Sequence, residues 1–218
     1  MSKAKRVGVL ISGRGSNMAS LIEACSSSDY PAEIAHVISN VPDAPGLEIA
    51  ARKGIPATAI DHKGYASRED FEKDLDATLR DAQIDLICNA GFMRLLTEGF
   101  VEAWRDRQLN IHPSLLPAFK GLRTHERAIE AGVRLSGCTV HFVRTEMDSG
   151  PIVAQAAVPV LPEDTPDELA ARVLEAEHKL YPFALKLVAS GEAKVVNERV
   201  MFTSCPEVHG PYISPWIE

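Results

Sequence analysis

The feature that most constrains this chain is the alternation of short apolar runs with helix-like segments. Val7 to Ile11 is an apolar run that stops at Ser12-Gly13, the pattern of a strand followed by a turn. Asn17 to Ala24 reads as a helix. Ile34 to Ile38 reads as a second strand, ended by Asn40-Val41-Pro42. Gly46 to Lys53 reads as a helix closed by Gly54, and Ala57 to Ile60 as a short strand. Ser67 caps a helix running to about Ala82, with Asp70 supporting the cap. Ile84 to Cys88 is a strongly apolar strand, and Leu109 to Ile111 is another, stopped by Pro113. Strands and helices in alternation predict a parallel sheet with helices on both faces.

After Ser136 the pattern changes. Thr139 to Val143 and Ile152 to Val160 are strand-like with no helix between them, which predicts an antiparallel or mixed extension of the sheet. Thr165 then caps a long helix: Pro166 suits its first position, and Glu168 completes a capping box. Leu169, Val173, Leu180 and Leu187 give that helix a core face, and Lys194 to Met201 reads as a late strand. The fold class is α/β: one Rossmann-like, doubly wound, mainly parallel sheet with an antiparallel extension in the C-terminal half. With no repeat or low-complexity linker, residues 1–218 read as a single domain. Its core spans about 6–191, and a tail over about 202–218 is expected to be an irregular surface segment.

Length and composition fit this plan. A chain of 218 residues with 45% hydrophobic and 24% charged residues can bury a sizeable core without disulfides or metals. A net charge of -7, with acidic and basic residues mixed, gives no support for sequence-independent nucleic-acid binding, which usually shows a basic face. Cys25, Cys88, Cys138 and Cys205 form no CxxC motif, and Cys88 in its apolar run reads as a buried free thiol. The apolar stretch after the basic Met1 to Arg6 is too short for a signal peptide, and no run approaches a membrane span. A cytoplasmic protein, monomer or homodimer, acting on small molecules without nucleic acid or membrane, is expected.

Ser12-Gly13-Arg14-Gly15-Ser16-Asn17 lies between the first strand and the first helix. In a doubly wound sheet that is an anion site, because helix N–H groups and the dipole face the ligand. It is not a dinucleotide fingerprint: Met18 stands where the third glycine belongs, and Ser39-Asn40 where a ribose-binding carboxylate belongs. No Walker lysine follows. A phosphate monoester fits better, and a tight turn with no ligand also accounts for the run.

Asn110 and His112 lie two residues apart, so on a strand they share a face at its carboxyl end, where ligands bind in such sheets. A satisfied structural histidine is the plain alternative. Asp148 sits in Glu146-Met147-Asp148-Ser149-Gly150-Pro151, which also justifies itself as a turn, and spacing alone does not bring it to His112.

Phe92-Met93-Arg94, Asn110-Ile111-His112-Pro113-Ser114-Leu115-Leu116-Pro117 and Met147-Asp148-Ser149-Gly150-Pro151-Ile152 resemble the signature blocks of the folate-dependent formyltransferase family. Ile11 to Asn17 and Glu175-Ala176-Glu177-His178 resemble its glycinamide ribonucleotide branch, and the resemblance covers about Arg6 to Gly191. It implies direct formyl transfer from 10-formyltetrahydrofolate, as co-substrate, to an amine, with no metal. It assigns Asn110, His112 and Asp148 to catalysis. Gly15, Ser16 and Asn17 fall on the substrate phosphate and Glu177 on the ribonucleotide. Met93, Arg94, Leu95, Leu96 and Asn110 fall on the folate pocket, and Arg68 on the folate tail. Arg14 could meet phosphate or point to solvent, and Ser149 falls where small residues are usual.

Other branches fit less well. The methionyl-tRNA branch resembles a longer chain with a basic RNA-binding domain, whereas this one is acidic. The deformylase branch resembles this core with an added N-terminal domain, for which a first strand at Val7 leaves no room. A non-catalytic nucleotide-binding module would not need Asn110 or Asp148. A serine hydrolase using Ser114 lacks the GxSxG elbow.

Overall fold

The computed structural model describes residues 3–204 and 214. The first strand, β1 (Lys5–Ile11), shows how the sheet acquires two covered faces. Val7, Val9 and Ile11 enter one apolar core while Leu10 enters another, because successive strand side chains point to opposite sides. The chain continues through α1 (Ser16–Cys25), β2 (Ala32–Ser39), α2 (Pro45–Arg52), β3 (Ala57–Ala59), α3 (Arg68–Asp81) and β4 (Leu86–Asn89). It then forms α4 (Glu98–Ala103), β5 (Gln108–His112), α5 (Thr124–Glu130), β6 (Leu135–Phe142), β7 (Ile152–Pro159) and α6 (Pro166–Ser190). A hairpin of β8 (Ala193–Val196) and β9 (Arg199–Phe202) follows.

The main sheet has seven strands in the order β3-β2-β1-β4-β5-β6-β7. The pairs β3–β2, β2–β1, β1–β4 and β4–β5 are parallel, and β5–β6 and β6–β7 are antiparallel. The mainly parallel sheet and its antiparallel extension are therefore as the sequence predicts. One face packs Met18 and Leu21 of α1 and Leu169, Val173 and Leu185 of α6. The other packs Phe71, Leu75 and Leu79 of α3 together with Trp104. Each aliphatic side chain of this size, fully buried, contributes about 1.5–3 kcal/mol.

The caps read from sequence are present. Ser67 Oγ accepts from the Asp70 N–H, and Thr165 with Glu168 forms a reciprocal capping box. Cys88 is fully buried, and burial pushes its thiol up to about 12. Two expectations need correction. The run Lys194 to Met201 is not one strand but two, turning at Asn197 and Glu198, both at positive φ. The short helices α4 and α5 were not anticipated, because each is too brief to show a 3.6-residue period. Apart from Ser214, the tail from Cys205 to Glu218 lies outside the described residues. Among the described residues, no helix is long and apolar enough to cross a membrane.

Candidate active site

Strand β5 carries the first two site residues. Leu109 and Ile111 enter the core beneath α6, so Asn110 and His112 point to the other face, at the carboxyl end of the parallel strands. The segment after them is pinned by hydrogen bonds. Ser114 Oγ donates to the Ala118 carbonyl, and Thr139 Oγ1 donates to the Ser114 carbonyl while accepting from the Leu116 N–H.

Asp148 arrives from the loop between β6 and β7. It has φ +53, a left-handed conformation that Asp tolerates better than most residues. The loop lies close against β6 because residue 150 is glycine: a Cβ there would stand 1.8 Å from the Phe142 carbonyl oxygen. In that position Asp148 Oδ2 is 3.4 Å from His112 Nδ1 and accepts the Gly121 N–H at 2.9 Å. The His112 and Asp148 side chains are 8% and 9% exposed, so little water screens the pair. The other imidazole nitrogen, Nε2, lies 3.0 Å from the Phe119 carbonyl oxygen. Both ring nitrogens thus face oxygen atoms, a carboxylate on one side and a backbone carbonyl on the other.

His141 completes this cluster. It stands directly opposite Asn110 in the antiparallel register of β5 and β6. Its Nε2 is 3.2 Å from Asn110 Nδ2 and 3.8 Å from Asp148 Oδ1, and its Nδ1 is 2.9 Å from the Phe142 carbonyl oxygen. Burial lowers the pKa of this imidazole. Composition and periodicity do not distinguish it from a core residue; the signal lay in pairing the strand Thr139 to Val143 against Asn110.

The glycine-rich turn forms the second part of the site. Gly15 is the N-cap of α1, at φ +74, and no side chain caps the helix. The first-turn N–H groups at Ser16 and Asn17 are therefore unclaimed by a side-chain cap, at the positive end of the helix dipole. A Cβ on Gly15 would meet Gly46 Cα and Met18 Cε at 3.0 Å. Arg14 is exposed. Asn17 is buried and donates from Nδ2 to Glu177 Oε2 at 2.7 Å, while its Oδ1 is buried without a partner. Glu177 is 6% exposed rather than solvated, and desolvation raises its pKa against the lowering effect of Asn17.

The segment Met93 to Leu96 has no regular structure and joins the same mouth. The Met93 N–H donates to Ser12 Oγ at 2.8 Å, and Ser12 Oγ in turn donates to Asn40 Oδ1. Ser12 thereby ties the glycine-rich turn to this segment, a role invisible in its sequence context. The far end is held by buried Glu72, which accepts from both the N–H and the hydroxyl of Thr97. Met93 and Leu95 are 68% and 62% exposed, while Leu96 packs on the core beneath α3. Arg94 lies over the Phe71 ring at 5.9 Å. Arg68 is exposed as the first residue of α3, and no hydrogen bond joins it to the trio among the described residues. Among those residues, no group of three His, Cys, Asp or Glu is placed to hold a metal ion.

The Formyl transferase family matches residues 5–185. The chain belongs to that family. Formyl transferase relatives include the phosphoribosylglycinamide formyltransferase of Haemophilus influenzae, 44% identical over 191 residues, 88% of this chain and 90% of the relative. The trifunctional purine biosynthetic protein adenosine-3 of Gallus gallus is 51% identical over 190 residues; these cover 87% of this chain but only 19% of that protein. Among solved formyl transferase structures, glycinamide ribonucleotide transformylase 1 from Symbiobacterium toebii superposes with a TM-score of 0.91. It is 45% identical, with 94% of this chain and 96% of that one covered.

Proposed function

We propose that this protein transfers the formyl group of 10-formyltetrahydrofolate to the amine of N1-(5-phosphoribosyl)glycinamide, a step of purine biosynthesis. The observation that carries the reading is the gathering of Asn110, His112 and Asp148 into one largely buried cluster, with His141 between Asn110 and Asp148. Family membership supplies the formyl donor. The relatives named for phosphoribosylglycinamide supply the acceptor.

In this reading the amine attacks the formyl carbon, and negative charge grows on the formyl oxygen. The Asn110 amide and the His112 Nε2–H donate to that oxygen, which stabilises the tetrahedral intermediate. The formyl oxygen takes the place of the Phe119 carbonyl, which holds the Nε2–H in this structure. Asp148 orients the imidazolium through Nδ1 and balances its charge. A proton leaves the amine and reaches the departing folate nitrogen, with the His112 imidazole as its relay.

Gly15, Ser16 and Asn17 take the substrate phosphate on the N-terminus of α1, with Glu177 beside them against the ribonucleotide. Met93 to Leu96 form the wall of the folate pocket, and Arg68 meets the folate tail carboxylates. The core over about 6–191 acts as a single domain.

The test is to incubate the protein with 10-formyltetrahydrofolate and add either the ribonucleotide or buffer alone. Folate release that requires the ribonucleotide is expected. Release in water alone would replace this reading with hydrolysis.

A further inference from the structure

The geometry points to His141 as a positioning residue: its bare Nε2 fixes which end of the Asn110 amide faces the formyl oxygen. The argument begins at the other ring nitrogen. Nδ1 lies 2.9 Å from the Phe142 carbonyl oxygen, which only accepts, so Nδ1 carries the hydrogen. In the neutral ring Nε2 is then an acceptor. It stands 3.2 Å from the Asn110 side-chain amide.

Only the NH2 end of that amide satisfies a lone pair. A flipped amide would set carbonyl oxygen against the bare nitrogen of a ring that is 3% exposed, two facing acceptors with little water to satisfy them. With Nδ2 held by His141, its second hydrogen remains for a ligand, so the amide meets the mouth as a donor. Asp148 Oδ1 is 3.8 Å from Nε2, too far to take the hydrogen bond.

Two independent features keep the ring in this state. The His141 side chain is 3% exposed, and burial disfavours the charged imidazolium. His112 and Lys120 add to that effect, while Asp148 and the Phe142 carbonyl oppose it. The contact is also set by the backbone, since Asn110 and His141 are directly paired across adjacent strands.

The inference rests on the proposed formyl transfer for its effect on turnover, but not for the tautomer itself. Nitrogen-15 NMR of the histidine rings at neutral pH should show His141 with a protonated Nδ1 and a bare Nε2. The opposite tautomer, or a charged ring, overturns the proposal whatever the enzyme does. In kinetics, His141→Asn keeps a donor towards Phe142 and loses the acceptor, whereas His141→Gln sets an amide oxygen near the place of Nε2. His141→Asn should lower kcat by roughly 10²-fold, the scale of losing one oxyanion donor. KM should change little, and His141→Gln should recover most of the rate. In an Asn110→Ala background, His141→Asn should cost almost nothing further. An equal loss in both backgrounds overturns the proposal, because His141 would then act otherwise than through Asn110. A wild-type protein with no transfer to the ribonucleotide would instead sink the functional reading and leave the tautomer standing.

Discussion

Two parts of the site are built by opposite means. At the glycine-rich turn, the chain leaves β1 and enters α1 within a few residues, and the groups proposed to take the phosphate are backbone N–H donors. At the proposed catalytic cluster, the groups are side chains drawn from β5, β6 and the loop before β7, brought together by antiparallel pairing. The first needs one residue free to adopt a left-handed conformation, Gly15 at φ +74. The second needs a loop packed tightly enough to carry Asp148 to His112, which Gly150 permits. Damage to the two should therefore appear in different constants: binding of the phosphorylated substrate for the turn, and turnover for the cluster.

The sharpest break in that comparison is Asp148→Asn. The amide preserves shape but gives up the charge facing His112 Nδ1, so the imidazole loses its carboxylate partner. Steady-state kinetics should show kcat reduced roughly 10²- to 10⁴-fold, the range for losing acid–base support. KM for the ribonucleotide should hardly move. Near-normal turnover would remove Asp148 from the mechanism.

A smaller effect is expected from Gly15→Ala. A left-handed conformation costs an L-residue about 1–2 kcal/mol, and the new methyl would press on Gly46 Cα. The turn should relax away from the shape proposed to take the phosphate. KM for the ribonucleotide should rise roughly tenfold, the factor that 1.4 kcal/mol represents, with kcat at saturation largely kept. An equal fall in kcat with KM unchanged would show that the two parts are not separable in this way.

The same contrast explains what was legible in the sequence. The turn is contiguous, so its glycines, the strand before it and the helix after it stand in reading order. Asn110 and His112 were legible as a pair because strand periodicity puts them on one face. Asp148 was not, since its approach depends on the loop lying against Phe142, a contact with no local signal. His141 was hidden for a related reason: only the register of β5 against β6 makes it a neighbour of Asn110. The hairpin turn at Asn197-Glu198 escaped because glutamate at positive φ is not a turn signature, unlike Asn-Gly. Resemblance to the family named Asp148 and Glu177, but not their surroundings. Glu177 is a buried carboxylate held by Asn17, not a solvated helix residue.

That burial gives the mildest prediction, on stability rather than rate. Desolvation raises the folded-state pKa of Glu177 above its ordinary value of 4.5. A carboxylate with a raised folded pKa contributes its full stability below the unfolded value and loses it as pH rises through the folded value. Glu177→Gln removes this titration while keeping an oxygen that accepts from Asn17 Nδ2. The melting temperature of the variant relative to wild type should therefore climb as pH increases from about 4.5, then level off above the raised folded value. Thermal melts of both proteins without substrate, at matched ionic strength, measure that difference. A constant offset across the range would mean that Glu177 titrates alike in folded and unfolded chains. The hydrogen bond from Asn17 would then offset the desolvation of the carboxylate in full.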